Sequence, residues 1–142
     1  MRALLDVNVL IALCDSSHIH HSQAMQWLGE HIDEGWASCP LTQNGCIRIM
    51  SLPAYPNARA PSVIADLLRE ATATESHQFW PDRVSLLDKP LFDWSQLLNS
   101  RQITDAYLLA LAIKHGGRFV TFDHAIPLPA VNGATEQHLI RI

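Results

Sequence analysis

At 142 residues, 48% hydrophobic and 17% charged, the chain has apolar material for one enclosed core and no room for a second, which excludes the disordered and coiled-coil classes. Ten Lys and Arg against 14 Asp and Glu give a formal net charge of -4, which excludes a broad basic surface for nucleic acid, so any such contact must be local and helped by metal ions. No run approaches the roughly 20 apolar residues of a membrane span, the start through Asp6 lacks a signal-peptide core, and Cys14, Cys39 and Cys46 lack Cys-x-x-Cys spacing; a soluble protein of the reducing cytoplasm is expected.

In chain order, residues 3–5 read as a short buried strand that ends near Asp6 and turns into an apolar helix over 7–13. A second helix is expected over 20–32, with Ala24, Trp27, Leu28 and Ile32 on one side. Gly35 closes it before a strand over 36–39 that Pro40 stops. Residues 42–51 read as helical, ended by Pro53 and Pro56, and Pro61 opens a helix carrying Val63, Ile64, Leu67 and Leu68. A strand is expected over 83–87 and a short helix over 94–98. The clearest helix covers 104–115, terminated by Gly116-Gly117; a strand over 118–122 follows, ending at Asp123, and 138–142 reads as an edge strand. This alternation indicates an α/β fold: a three-layer sandwich with a mostly parallel central sheet of four to five strands flanked by helices, as a single domain over 1–142.

Three aspartates stand where such a fold collects ligands. Asp6 and Asp123 each follow an apolar strand, and Asp105 lies in the first turn of the clearest helix. Open parallel sheets bind at the carboxyl ends of their strands, so adjacent strands would converge the three carboxylates on one pocket. Mutual repulsion is then relieved by protonation or by a divalent cation, and oxygen-only ligation suits Mg²⁺ or Mn²⁺. Each aspartate also has an ordinary reading: Asp105 favours a helix dipole and Asp123 a turn. Asp6, between Leu5 and Val7, is harder to place in a core strand without a partner.

The segments Leu4-Leu5-Asp6-Val7-Asn8-Val9, Pro40-Leu41-Thr42-Gln43-Asn44-Gly45-Cys46-Ile47-Arg48, Thr104-Asp105-Ala106-Tyr107-Leu108 and Phe119-Val120-Thr121-Phe122-Asp123 together resemble the PIN-domain family, and in particular the VapC-type toxins of type II toxin-antitoxin modules. The resemblance spans nearly the whole chain. It implies a Mg²⁺- or Mn²⁺-dependent endoribonuclease, with Asp6, Asp105 and Asp123 as metal ligands, RNA as substrate, an antitoxin partner and a homodimer. The departure is Gln43, at a position where the family typically carries a glutamate completing an acidic quartet. A neutral amide there implies weaker metal binding and slower cleavage.

Asn8, Thr104 and Thr121 are expected to support the carboxylates by hydrogen bonds, although Thr104 also suits an N-cap and Thr121 a strand. Arg48 and Arg101 are candidates for RNA or partner contact, against the commoner solvated arginine. His18, His20 and His21 suggest a metal tract but have no cysteine or carboxylate partner at zinc-like spacing. The apolar residues around Ile47, Ile49, Met50, Val63, Ile64 and Leu67 suggest a partner groove, which in the resembled toxins receives the antitoxin. Two other functions compete: a degenerate PIN domain that only binds antitoxin or RNA, and a haloacid-dehalogenase-like phosphatase, whose second acid Asn8 cannot supply.

Overall fold

The computed structural model describes residues 1–142. Its elements are β1 (Ala3–Leu5), α1 (Val7–Cys14), α2 (His21–His31), β2 (Trp36–Ser38), α3 (Pro40–Met50), α4 (Pro61–Thr72), β3 (His77–Phe79), α5 (Arg101–Lys114), β4 (Arg118–Thr121) and β5 (Leu139–Arg141). The five strands form one all-parallel sheet in the order β3-β2-β1-β4-β5. The chain builds outward from β1 to β3, then crosses back to place β4 on the other side of β1. The crevice at the carboxyl ends of β1 and β4 is therefore the topological switch point, where open α/β sheets bind their ligands.

Strand alternation makes the three layers. Ala3, Leu5, Trp36 and Val120 point into one core with α1 to α4, while Leu4, Ala37, Phe119 and Leu139 point into the other, against α5. Residues 106 to 112 of α5 are buried without a break, because the helix lies on the sheet and is itself covered by Phe92, Ile126 and Val131. A helix apolar on every side is stable only when enclosed in this way. Burial of each of Leu108, Leu109 and Leu111 contributes about 1.5–3 kcal/mol.

Several boundaries differ from expectation. No strand forms over 83–87; that segment is irregular, with Val84 and Leu86 packed against the α5 core. The strand is β3, an edge strand of His77, Gln78 and Phe79 whose largely exposed side chains give no apolar run. Pro40 opens α3 rather than only ending β2, with Thr42 Oγ1 accepting from the Cys39 N–H at 3.0 Å. α5 begins at Arg101, so Thr104 is not its N-cap and Asp105 lies in the second turn. Gly35, at φ +77, ends the turn after α2 in a conformation glycine takes without strain. No helix is long and apolar enough to cross a membrane.

Candidate active site

Asp6 is the first residue past β1 and is only 6% exposed. It caps α1, its Oδ1 accepting from the Val7 N–H at 2.7 Å, and its own N–H donates to the Val120 carbonyl at 2.9 Å. Its other oxygen, Oδ2, accepts from Thr121 Oγ1 at 2.6 Å. Thr121 ends β4, fully buried, and its Oγ1 accepts in turn from the Asp123 N–H at 3.0 Å. Asp123 Oδ1 accepts from the Ala125 N–H at 2.8 Å. The carboxyl ends of β1 and β4 are thus tied together through the hydroxyl of Thr121.

Asp105 faces this corner from α5. Burial first, then the charges of Asp6 and Asp123 and a hydrogen bond with Asp123, push its carboxyl up to about 7. Burial also raises Asp6, against the lowering effect of Thr121 and Val7, with the charge of Asp123 adding to the rise. The three carboxylates therefore repel one another, which with burial favours a retained proton on Asp105. As they stand, no three His, Cys, Asp or Glu side chains close around a point as in a formed metal site. The donor set nevertheless suits a hard cation, which would replace the retained proton. Nearby in sequence, Asn8 in the first turn of α1 has a buried Oδ1 without a hydrogen-bond partner.

Beside Asp6 opens a cavity of about 270 Å³, with Thr104, Asn44, Arg48, Leu41 and Ile49 in its lining. Gln43 is not among these residues. Its Nε2 donates to Ser38 Oγ at 2.9 Å, and it lines a separate recess with Ile47, Ala65, Leu68 and Arg69. Asn44, not singled out by sequence reasoning, is the amide that lines the same cavity as Asp6. Helical spacing was the available signal, since Asn44 and Arg48 lie one turn apart on one face. Arg101 is exposed at the start of α5, one turn before Asp105.

The histidine tract does other work: His18 Nδ1 accepts from the His20 N–H, His21 donates to the Ala12 carbonyl, and His20 packs against Phe122. The apolar groove is also displaced from expectation, because Met50 and Ile64 are buried. A cavity of about 470 Å³ instead runs between α1, α2 and α4, lined by Leu10, Leu13, Met25, Leu28 and Leu67 among others.

A family model described as PIN domain matches residues 3–131. The chain is 55% identical over 139 residues to Ribonuclease VapC44 of Mycobacterium tuberculosis strain H37Rv, covering 98% of each. It is 41% identical over 137 residues to Ribonuclease VapC39 of the same strain, covering 96% of this chain and 99% of that one. The crystal structure of M. tuberculosis VapC20, described as a Sarcin-Ricin loop cleaving toxin, superposes with a TM-score of 0.61 at 15% identity, over 87% of this chain and 91% of that one. VapBC2 from Rickettsia felis, bound to a DNA fragment from its promoter, gives a TM-score of 0.55 at 12% identity, over 87% and 89%. These two likenesses concern the fold.

Proposed function

The chain belongs to the PIN domain family, and from that premise we propose that it is a metal-dependent endoribonuclease, the toxin of a toxin-antitoxin pair. The observation that carries this reading is the facing of Asp6, Asp105 and Asp123 at the switch point of the sheet, with Asp105 pushed up to about 7 by burial and by its two neighbours. Relatives named as ribonucleases, matched along nearly their whole length, support RNA as the substrate.

Asp6, Asp105 and Asp123 would hold the ion, Mg²⁺ or Mn²⁺ by the hardness of their oxygens. A bound divalent ion polarises a phosphodiester oxygen and lowers the pKa of a water beside it. Thr121 fixes Asp6 in one orientation by donating to Oδ2, and Asp105, raised to about 7, would have to be ionised to serve as a ligand. Arg48 brings a cation to the phosphate chain on an otherwise acidic molecule. Gln43 bonds to Ser38 Oγ, and the competing reading, a degenerate domain that only binds antitoxin or RNA, is separated from this one by the cleavage test below.

Residues 1–142 act as one domain in this reading, supported by a single sheet with both faces covered. The antitoxin is the protein partner, and the α1-α2-α4 groove offers it an apolar seat. A homodimer and a cytoplasmic location complete the proposal. The test is cleavage of RNA by the purified protein with Mn²⁺ or Mg²⁺, expected to vanish with EDTA and in Asp6→Ala. Cleavage that persists in Asp6→Ala, or that EDTA leaves untouched, would overturn the assignment.

A further inference from the structure

We infer that the cavity between α3 and the Asp6–Thr104 corner seats the nucleotide next to the scissile phosphate, with Arg48 pairing to its phosphate and the amide of Asn44 reading its base. This rests on the nuclease reading above and adds to it a residue that sets where the cut falls.

The wall of the cavity is one face of α3. Leu41, Asn44, Gly45, Arg48 and Ile49 all line it, at the spacing that stacks residues along one side of a helix. Gly45 sets how close that face comes: a Cβ there would lie 2.7 Å from Val7 Cγ2. Without one, α3 packs directly on the first residue of α1, and Asn44 and Arg48 line the same cavity as Asp6. A bulkier residue at 45 would move the whole wall away.

The chemistry of that wall is complementary to a nucleotide. Asn44 and Arg48 are both exposed. Arg69, Arg118 and Arg141 are each paired with a carboxylate, whereas Arg48 makes no ion pair despite sharing a cavity with Asp6. A guanidinium that lines a cavity with an acidic side chain but is not paired to it remains available for a phosphate. Asn44 offers two N–H donors and one carbonyl acceptor, the set needed to hydrogen-bond the edge of an unpaired base. Leu41 and Ile49 give the base an apolar surface to lie against. The volume of about 270 Å³ is near the small end of ligand sites, whose usual range is roughly 300–1,000 Å³. That size matches a single nucleotide unit rather than a paired helix, which calls for an unpaired base at the cut.

The test uses a random-sequence RNA pool with Mn²⁺, sequencing the cleaved ends produced by the unsubstituted protein, Asn44→Ala and Arg48→Gln. Arg48→Gln is expected to raise KM about tenfold and to lower the salt dependence of RNA binding by about one phosphate contact. Asn44→Ala is expected to flatten the base preference at one position beside the cut by about tenfold. Both side chains are exposed, so melting temperatures should match that of the unsubstituted protein and separate these effects from misfolding. If the unsubstituted protein leaves the pool intact, the nuclease reading falls and this inference with it. If that protein cleaves, and both variants keep its base preference and KM, only this inference is overturned.

Discussion

Thr121 Oγ1 donates its proton to Asp6 Oδ2 at 2.6 Å, joining residues 115 positions apart in the chain, and Thr121 Oγ1 itself accepts from the Asp123 N–H at 3.0 Å. One buried side chain therefore sets the orientation of one carboxylate and the backbone of another. In Thr121→Val the shape of β4 is kept, and Asp6 loses its donor. A buried group left unsatisfied in this way costs about 1–3 kcal/mol, so the melting temperature should fall. Loss of an orienting hydrogen bond should also weaken Mn²⁺ binding about tenfold, read by calorimetric titration. Unchanged Mn²⁺ affinity would remove Thr121 from any role at the site.

Asp105 gives a prediction about pH in the metal-free protein. Its carboxyl, ordinarily near 3.8, is pushed up to about 7 in the folded chain, so the folded state binds that proton more tightly than the unfolded state. The resulting stabilisation is fully present below about 3.8 and is lost as pH rises through about 7. With EDTA present, the melting temperature should decline between those values, and Asp105→Asn should flatten the decline and melt higher at pH 8. The same variant should lose Mn²⁺ binding, a trade of function for stability. An Asp105→Asn protein less stable than the unsubstituted one at pH 8 would show that Asp105 is not under repulsion.

Gln43→Glu tests which way position 43 faces. Ser38 Oγ, fully buried, lies 2.9 Å from Gln43 Nε2 and 2.8 Å from His77 Nε2. With Gln43 donating, Ser38 is free to give its proton to His77, whose pKa burial holds below the ordinary histidine value. A glutamate cannot donate, so Ser38 turns its proton to the new carboxylate and offers His77 a lone pair instead. Protonated His77 is then favoured, and its ring resonances in an NMR titration should shift at higher pH. Mn²⁺ affinity should stay within about twofold. Markedly tighter Mn²⁺ binding would return position 43 to the carboxylate site.

Gly45→Ala puts a methyl group 2.7 Å from Val7 Cγ2. The neighbour is a branched side chain at the start of α1, with little freedom to withdraw, so the helices must separate. Overpacking of this kind costs about 1–3 kcal/mol, and the displaced α3 should lower RNA cleavage more than Mn²⁺ binding. A variant with unchanged melting temperature and activity would mean that α3 tolerates the shift.

Much of the site could be read locally. Asp6 after Leu4-Leu5, Asp123 after Phe119 to Phe122, and Asp105 within an apolar helix are features of short segments; Asp6 directly follows β1 as expected, while Asp105 lies one turn further into its helix and Asp123 one residue further beyond its strand. The boundaries that moved had weak local signals. β3 is an exposed edge strand held by its ladder to β2 rather than by an apolar run. α5 gains its first turn from Arg101, whose N–H donates to Asn99 Oδ1. The apolar residues near Met50 and Ile64 were expected to remain open to a partner, yet α3 and α4 bury them against each other and against the sheet.

The sequence by itself determined the layers, the strands that precede Asp6 and Asp123, and the burial of α5, because strand alternation and helical periodicity are written in neighbouring residues. Only the tertiary structure decided that β1 and β4 adjoin, that Thr121 reaches Asp6, and that Asn44 rather than Gln43 lines the cavity beside Asp6. Successive residues of a helix point about 100° apart, so which amide meets the site depends on the rotation of α3 against α1. The contact between Gly45 and Val7 fixes that rotation, and it exists only once the chain has folded.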